Sequence, residues 1–179
     1  MPLELNTLLL GRYRILSELG RGGMGAVYRG QDENLGVEVA IKENLVESLD
    51  FERQFKREAK LLASLRHPGL PRVTDYFVLP GAGQYLVMDF IQGEDAKQRL
   101  DREGRPLPEV EVVRWAREIL EALNYLHTLP QPIVHRDIKP SNIKITPAGR
   151  AVLVDFGLAK IHDAARSTTI GAKALTPGF

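Results

Sequence analysis

Asp137, Lys139 and Asn142 fall in the run His135-Arg136-Asp137-Ile138-Lys139-Pro140-Ser141-Asn142, and Asp155 follows thirteen residues after Asn142. A carboxylate, an ammonium and an amide so close together suit proton transfer and the holding of charged ligands. The run cannot be a regular helix or strand. Pro140 removes a backbone donor and pushes Lys139 toward extended geometry, so these groups sit on a loop. Ile133-Val134 before it and Ile143-Lys144-Ile145 after it read as short strands. Polar side chains on a loop between strands are a common setting for catalysis.

Upstream elements supply what such a loop would need. Tyr13 to Leu19 reads as a strand, followed by Gly20-Arg21-Gly22-Gly23-Met24-Gly25-Ala26-Val27, a G-x-G-x-x-G-x-V match. A dinucleotide-binding fingerprint with these glycines must open a helix. Here Ala26-Val27-Tyr28-Arg29 is a short strand followed by a polar turn, so the glycines join two antiparallel strands and the oxidoreductase reading loses. A glycine hairpin lets backbone N–H groups approach phosphate oxygens without side-chain obstruction. In the next strand, Glu38 to Glu43, Val39 and Ile41 share one face and Ala40 and Lys42 the other. Lys42 is thereby placed to hold phosphates beneath the loop.

Asp50 to Leu65 carries Phe55, Ala59, Leu62 and Leu65 at helical spacing, and Glu58 lies near the edge of that stripe. Strands near Val73–Leu79 and Gln84–Met88 complete five strands and one helix. Asp89-Phe90-Ile91-Gln92-Gly93 reads as an extended linker. Beyond it the pattern turns helical: Asp95 to Glu103, ending at Gly104, then Pro108 to His127. On the second helix Val112, Val113, Ala116, Ile119, Leu120, Leu123 and Leu126 form the expected apolar stripe, and Trp115 and Tyr125 read as packing residues.

With 179 residues, 44% apolar and 26% charged, the composition is that of a globular domain. A net charge of +1 gives no support to a nucleic-acid or anionic-membrane partner. Cysteine is absent, which excludes disulfides and thiolate metal sites. No apolar run is long enough to span a bilayer and no cationic leader precedes one, so a cytoplasmic location is the expectation.

Taken in order, the glycine loop, Val39-Ala40-Ile41-Lys42, a helix glutamate, His135-Arg136-Asp137 with Asn142, and Asp155-Phe156-Gly157 resemble the eukaryotic-like Ser/Thr protein kinases also found in bacteria. The resemblance implies an α+β, two-lobe fold: a five-stranded antiparallel N-lobe with one helix, and an incomplete, mainly helical C-lobe. It divides the chain into an arm (1–12), the N-lobe and hinge (13–92) and a partial C-lobe (93–179). It implies ATP and Mg²⁺ as ligands, with a protein carrying a Ser or Thr hydroxyl as acceptor. Leu19, Gly20, Arg21, Gly22, Gly23, Met24, Gly25, Ala26 and Val27 would cover the phosphates, with Ala40 above the adenine. Met88 would be the gatekeeper, and Asp89 and Ile91 would be the hinge contacts. Lys42, oriented by Glu58, would hold the α- and β-phosphates. Asp137 would receive the hydroxyl proton, Lys139 would steady the γ-phosphate, and Asn142 and Asp155 would bind magnesium.

Two departures accompany the resemblance. Lys144 stands where the family places an apolar adenine floor, so its methylene stem would have to pack while its ammonium reaches out. The family's Ala-Pro-Glu segment and later helices are expected just beyond Phe179, with a regulatory region possible downstream. Exposing several large apolar side chains at roughly 1.5–3 kcal/mol each rivals a stability of about 5–15 kcal/mol. A chain stopping there is therefore expected to be loosely folded in its second half and weakly active. The alternative is a nucleotide-binding or scaffolding remnant without transferase activity. Thr168 and Thr169, ahead of Ser167, are the candidate phosphorylation acceptors that would pair with Arg136.

Overall fold

A computed structural model describes residues 3–22, 25–45 and 49–155, without the side chains of residues 49–52, 54 and 58. Gly23, Met24, the Glu58 side chain, Phe156, Gly157, Ser167, Thr168 and Thr169 lie outside what is described.

The first half is a six-stranded antiparallel sheet with strand order β1-β2-β3-β4-β6-β5. Its strands are β1 (Leu8–Leu9), β2 (Tyr13–Gly22), β3 (Gly25–Asp32), β4 (Val37–Asn44), β5 (Val73–Leu79) and β6 (Gly83–Asp89). The five expected strands are present. Pairing of Leu8 with Arg14 and Leu9 with Tyr13 adds a sixth, within the segment read as an arm. Leu9 is only 4% exposed, so this short edge strand is held by burial as well as by its ladder.

The sheet has two differently used faces because strand side chains alternate. Tyr13, Ile15, Ala26, Tyr28, Val39, Ile41, Tyr85 and Val87 form one core. The other face receives α1 (Leu49–Ser64), whose Phe55, Ala59 and Leu62 pack with Ala40, Leu86 and Met88. That second core runs on into the following half through Leu70, Ala122, Leu126 and Leu153. A hydrogen bond from Leu153 N to Gly69 O (2.9 Å) reinforces the junction.

The second half contains β7 (Glu94–Asp95), α2 (Ala96–Glu103), α3 (Glu109–His127), a 3₁₀ turn (Pro140–Asn142), β8 (Ile143–Ile145) and β9 (Ala151–Leu153). Asp95 Oδ1 accepts from Gln98 N (2.8 Å) while Gln98 Oε1 accepts from Asp95 N (2.9 Å), a reciprocal cap that fixes the start of α2. Gly104 closes it in the left-handed conformation at φ 61°. β7, β8 and β9 form a second antiparallel sheet.

The expected stripe on α3 needs correction. The buried residues are Trp115, Ile119, Ala122 and Leu126, whereas Val112, Val113 and Leu120 are exposed, Leu120 by 64%. Helix α3 is apolar on more than one face, and what turns Trp115 inward is a partner: its indole N–H donates to Gly149 O (3.0 Å) in the β8–β9 turn. Tyr125 does pack as expected, stacking on His67 and accepting from Arg66 N (3.0 Å) through its hydroxyl.

Candidate active site

The glycine hairpin continues the ladder of β2 and β3 to the last pair, Gly22 with Gly25. Gly25 has φ +149°, and a Cβ there would lie 2.1 Å from Glu43 O. The third glycine is therefore required by contact with β4 as well as by backbone shape. Antiparallel partners share a face, so Val27 stands beside Lys42 and Ala40 beside Met88. That register puts Val27, Ala40, Lys42 and Met88 on one side of the sheet, as the alternation pattern anticipates. At the linker, Asp89 N donates to Arg72 O (2.9 Å), and the Asp89 carboxylate accepts from Arg72 N and Nε. A contact between Asp89 and an adenine would have to use its carbonyl oxygen.

Opposite the hairpin, the loop from His135 to Asn142 is built around one carboxylate. Lys139 Nζ donates to Asp137 Oδ2 at 2.8 Å, and Asn142 Nδ2 donates to Asp137 Oδ2 at 2.9 Å and Asp137 O at 2.8 Å. Lys139 is extended (φ −153°, ψ 159°), the geometry imposed by the proline after it. Asn142 also accepts from Val154 N through its main-chain carbonyl (2.9 Å), which ties the loop to the end of β9. His135, 1% exposed, lies beneath the loop and accepts weakly from Asp137 N at 3.4 Å through Nδ1. The side-chain hydrogen bond from Lys139, aided by Asn142 and opposed by partial burial, holds Asp137 below the usual carboxylate range. Burial holds His135 below its ordinary value of 6.5, against the pull of Asp137 and Asp155.

Arg136 and Asp155 adopt positive φ, +65° and +56°. Non-glycine residues in this region are uncommon and favour sites where a side chain must be aimed. Asp155 aims at Lys42: Oδ1 accepts from Nζ at 2.5 Å, spanning the space between sheet and loop. The orienting role expected of Glu58 falls on a side chain outside the description. A cleft of about 640 Å³ lies between the halves, bounded by Gly20, Val27 and Lys42 above and Asp137, Asn142 and Asp155 below.

Asn44 and Ser141 also line this cleft and escape the sequence reading. The signal for Asn44 is present: it is two residues after Lys42 and so on the same strand face. Ser141 sits inside the polar run but carries no pattern of its own. Lys144 is half-buried, with its ammonium 3.9 Å from Asp95 Oδ2, so the capping carboxylate of α2 holds the end of the side chain.

Residues 13–177 match the sequence family described as the protein kinase domain. This chain is a member of the protein kinase family. It is 38% identical over 182 residues to the serine/threonine-protein kinase PknA of Mycobacterium tuberculosis, covering 96% of this chain and 41% of PknA. Over its whole length it is also 38% identical to the DNA damage-responsive serine/threonine-protein kinase RqkA of Deinococcus radiodurans, covering 27% of that protein. In structure it resembles the M. tuberculosis PknI kinase domain, with a TM-score of 0.74 and 32% identity, covering 89% of this chain and 64% of the PknI chain. The chain thus spans less than half the length of these curated relatives.

Kinase-family membership implies a nucleoside triphosphate donor and typically a divalent metal. The donor set fits a hard cation: the Asp155 carboxylate and the Asn142 amide oxygen are oxygen ligands of the kind magnesium takes in small number. Among the described residues no group of three or more His, Cys, Asp and Glu could hold a metal, so a cation would draw its other ligands from phosphate and water. No described helix is long and apolar enough to cross a membrane.

Proposed function

We propose that this chain forms the ATP site and catalytic loop of a Ser/Thr protein kinase that transfers the γ-phosphate of Mg-ATP to a protein hydroxyl. The observation that carries the reading is the Asp137 carboxylate, held by Lys139 and Asn142. It faces the Lys42–Asp155 pair across a cleft roofed by glycine backbone.

Phosphoryl transfer passes through a loose transition state, so the protein mainly positions groups and neutralises charge. In this reading the backbone amides of residues 20–22 and 25–27 face the phosphates, and Lys42 holds their oxygens. Asp137, kept ionised by Lys139 and Asn142, accepts the proton of the incoming Ser or Thr hydroxyl. Lys139 then lies beside both that carboxylate and the transferring group. Asn142 and Asp155 would hold magnesium, which neutralises charge on the phosphate oxygens. Met88, Ala40, Asp89 and Ile91 frame the adenine, with the Lys144 stem beneath it. A protein acceptor and a cytoplasmic setting belong to the same reading.

The test is Mg-ATP binding by thermal shift together with phosphate transfer to a generic protein acceptor. Asp137→Asn should keep binding and lower transfer by about 10²- to 10⁴-fold. Absence of Mg-ATP binding at millimolar nucleotide would overturn the reading. The second reading is a nucleotide-binding module without transfer. Binding without transfer by the unaltered chain would select it.

A further inference from the structure

Beneath the glycine hairpin, Glu43 borders the cleft while its buried carboxylate is bonded to Tyr28 and Tyr85 of the first sheet core. Glu43, 2% exposed, directly follows Lys42 on β4. Tyr28 OH donates to its Oε2 and Tyr85 OH to its Oε1, both at 3.1 Å. Burial and then the Glu43 charge push the Tyr85 phenol well above its ordinary range, so that ring stays a donor.

Tyr28 does more than complete this pair. A phenol hydroxyl has one hydrogen to give and two lone pairs to accept with. Its hydrogen goes to Glu43, one lone pair takes Arg21 Nη2 (3.3 Å) and the other takes Leu3 N (3.1 Å). Arg21 stands between the first two glycines, and Glu18 Oε2 fixes it from the β2 side at 2.5 Å. The other arm of the hairpin rests on the same residue, since Gly25 is in contact with the Glu43 carbonyl. Glu43 therefore touches one arm through its main chain and the other through Tyr28 and Arg21.

We propose that Tyr28 is a positioning residue for the glycine hairpin, its hydroxyl tying Arg21 and the start of the chain to Glu43, and that this tie sets how closely the hairpin lies over bound phosphates. The proposal rests on the nucleotide reading above. Glycines give the hairpin little stiffness of its own, and each has more backbone freedom to lose than any other residue. Phosphate contacts through backbone N–H groups are sensitive to small displacements. A side-chain anchor on the strand next to Lys42 places the hairpin and the lysine in one frame.

The experiment compares Tyr28→Phe, Arg21→Met, their double variant and Tyr85→Phe in the 179-residue chain. Readouts are MgADP affinity by calorimetry, amide hydrogen exchange at residues 20–27 without nucleotide, and melting temperature. Tyr28→Phe and Arg21→Met should each weaken MgADP binding by about three- to tenfold and speed exchange at 20–27, and the double variant should be no worse than Tyr28→Phe alone. Tyr85→Phe removes a donor from the same carboxylate without touching Arg21. It should lower the melting temperature and leave MgADP affinity and exchange at 20–27 unchanged. Additive effects of the two ties, or equal loss of affinity in Tyr85→Phe, would overturn the proposal. Arg21→Met changes a partly exposed side chain and so remains informative if Tyr28→Phe folds poorly. Failure of the unaltered chain to bind MgADP would sink the nucleotide reading instead, while the exchange data still decide the tie.

Discussion

Lys42 Nζ and Asp155 Oδ1 lie 2.5 Å apart although 113 positions separate them in the chain. The contact joins the sheet side of the cleft to the loop side, and under the proposed function Asp155 would answer to two cations, the lysine and a divalent metal. Asn tolerates positive φ at least as well as Asp, so Asp155→Asn at φ +56° tests charge with little added strain. Magnesium should strengthen ATP binding in the unaltered chain and do so about tenfold less, or about 1.4 kcal/mol less, in Asp155→Asn. Calorimetry with ATP, with and without Mg²⁺, reads this directly. An unchanged magnesium increment would remove Asp155 from metal binding.

Asp137 gives a pH prediction whose sign follows from its partners. The Lys139 hydrogen bond favours the ionised form and holds the carboxyl below 3.8, so the proton-accepting form persists to lower pH than for a free carboxylate. Lys139→Met removes the largest favourable contribution. The acid limb of transfer activity, or the Asp137 carboxyl titration followed by NMR, should therefore move to higher pH. The variant should also be slower at neutral pH, where Asp137 is ionised in both proteins. A titration that stays put would mean Asn142 alone sets the ionisation.

Much of this was legible because local chemistry and tertiary need agree. Asp95, Gln98 and Gly104 mark α2 through backbone groups that neighbouring residues satisfy. Pro140 dictates the extended Lys139, and the glycine pattern followed by strand residues dictates a hairpin. The missed features depend on partners far away in sequence. The buried face of α3 is chosen by Trp115 reaching Gly149, not by the abundant Val and Leu residues nearby. Glu43 reads as a strand-end acid until Tyr28 and Tyr85 are brought to it. Leu8–Leu9 is too short to declare itself as a strand and is identified by pairing with β2.

A second pH effect concerns stability. Asp32 is 2% exposed and accepts from Arg12 Nη2 at 2.7 Å, and its Oδ1 also accepts from Asn34 N and Leu35 N. The Arg12 hydrogen bond, helped by those two amides, lowers its folded-state value below 3.8. A depressed carboxylate stabilises the fold fully above its unfolded-state value and loses that contribution as pH falls through the folded-state one. Asp32→Asn keeps an oxygen for the turn amides but turns an NH₂ toward Arg12, removing the charge and one acceptor. It should cost about 1–3 kcal/mol at neutral pH. In thermal melts the gap to the unaltered chain should narrow as pH drops below 3.8. A gap independent of pH would show that shape, not charge, is what Asp32 supplies.

The linker between the halves ends at a glycine with no room to change. Gly93 has φ +131°, and a Cβ there would sit 2.1 Å from Ile145 O, beside the Glu94–Ile145 pair of β7 and β8. Gly93→Ala must therefore move the backbone of β8, three residues beyond Asn142, and carry the loop with it. The cost should be about 1–3 kcal/mol from strain and the displaced carbonyl. Gly36→Ala is the matched control, because Gly36 also has positive φ (+68°) but opens onto space with nothing within 4 Å. Thermal melts should place Gly93→Ala clearly below Gly36→Ala, and only the former should weaken Mg-ATP binding. Equal losses would mean that the backbone angle alone matters and that contact between linker and β8 does not hold the two halves in register.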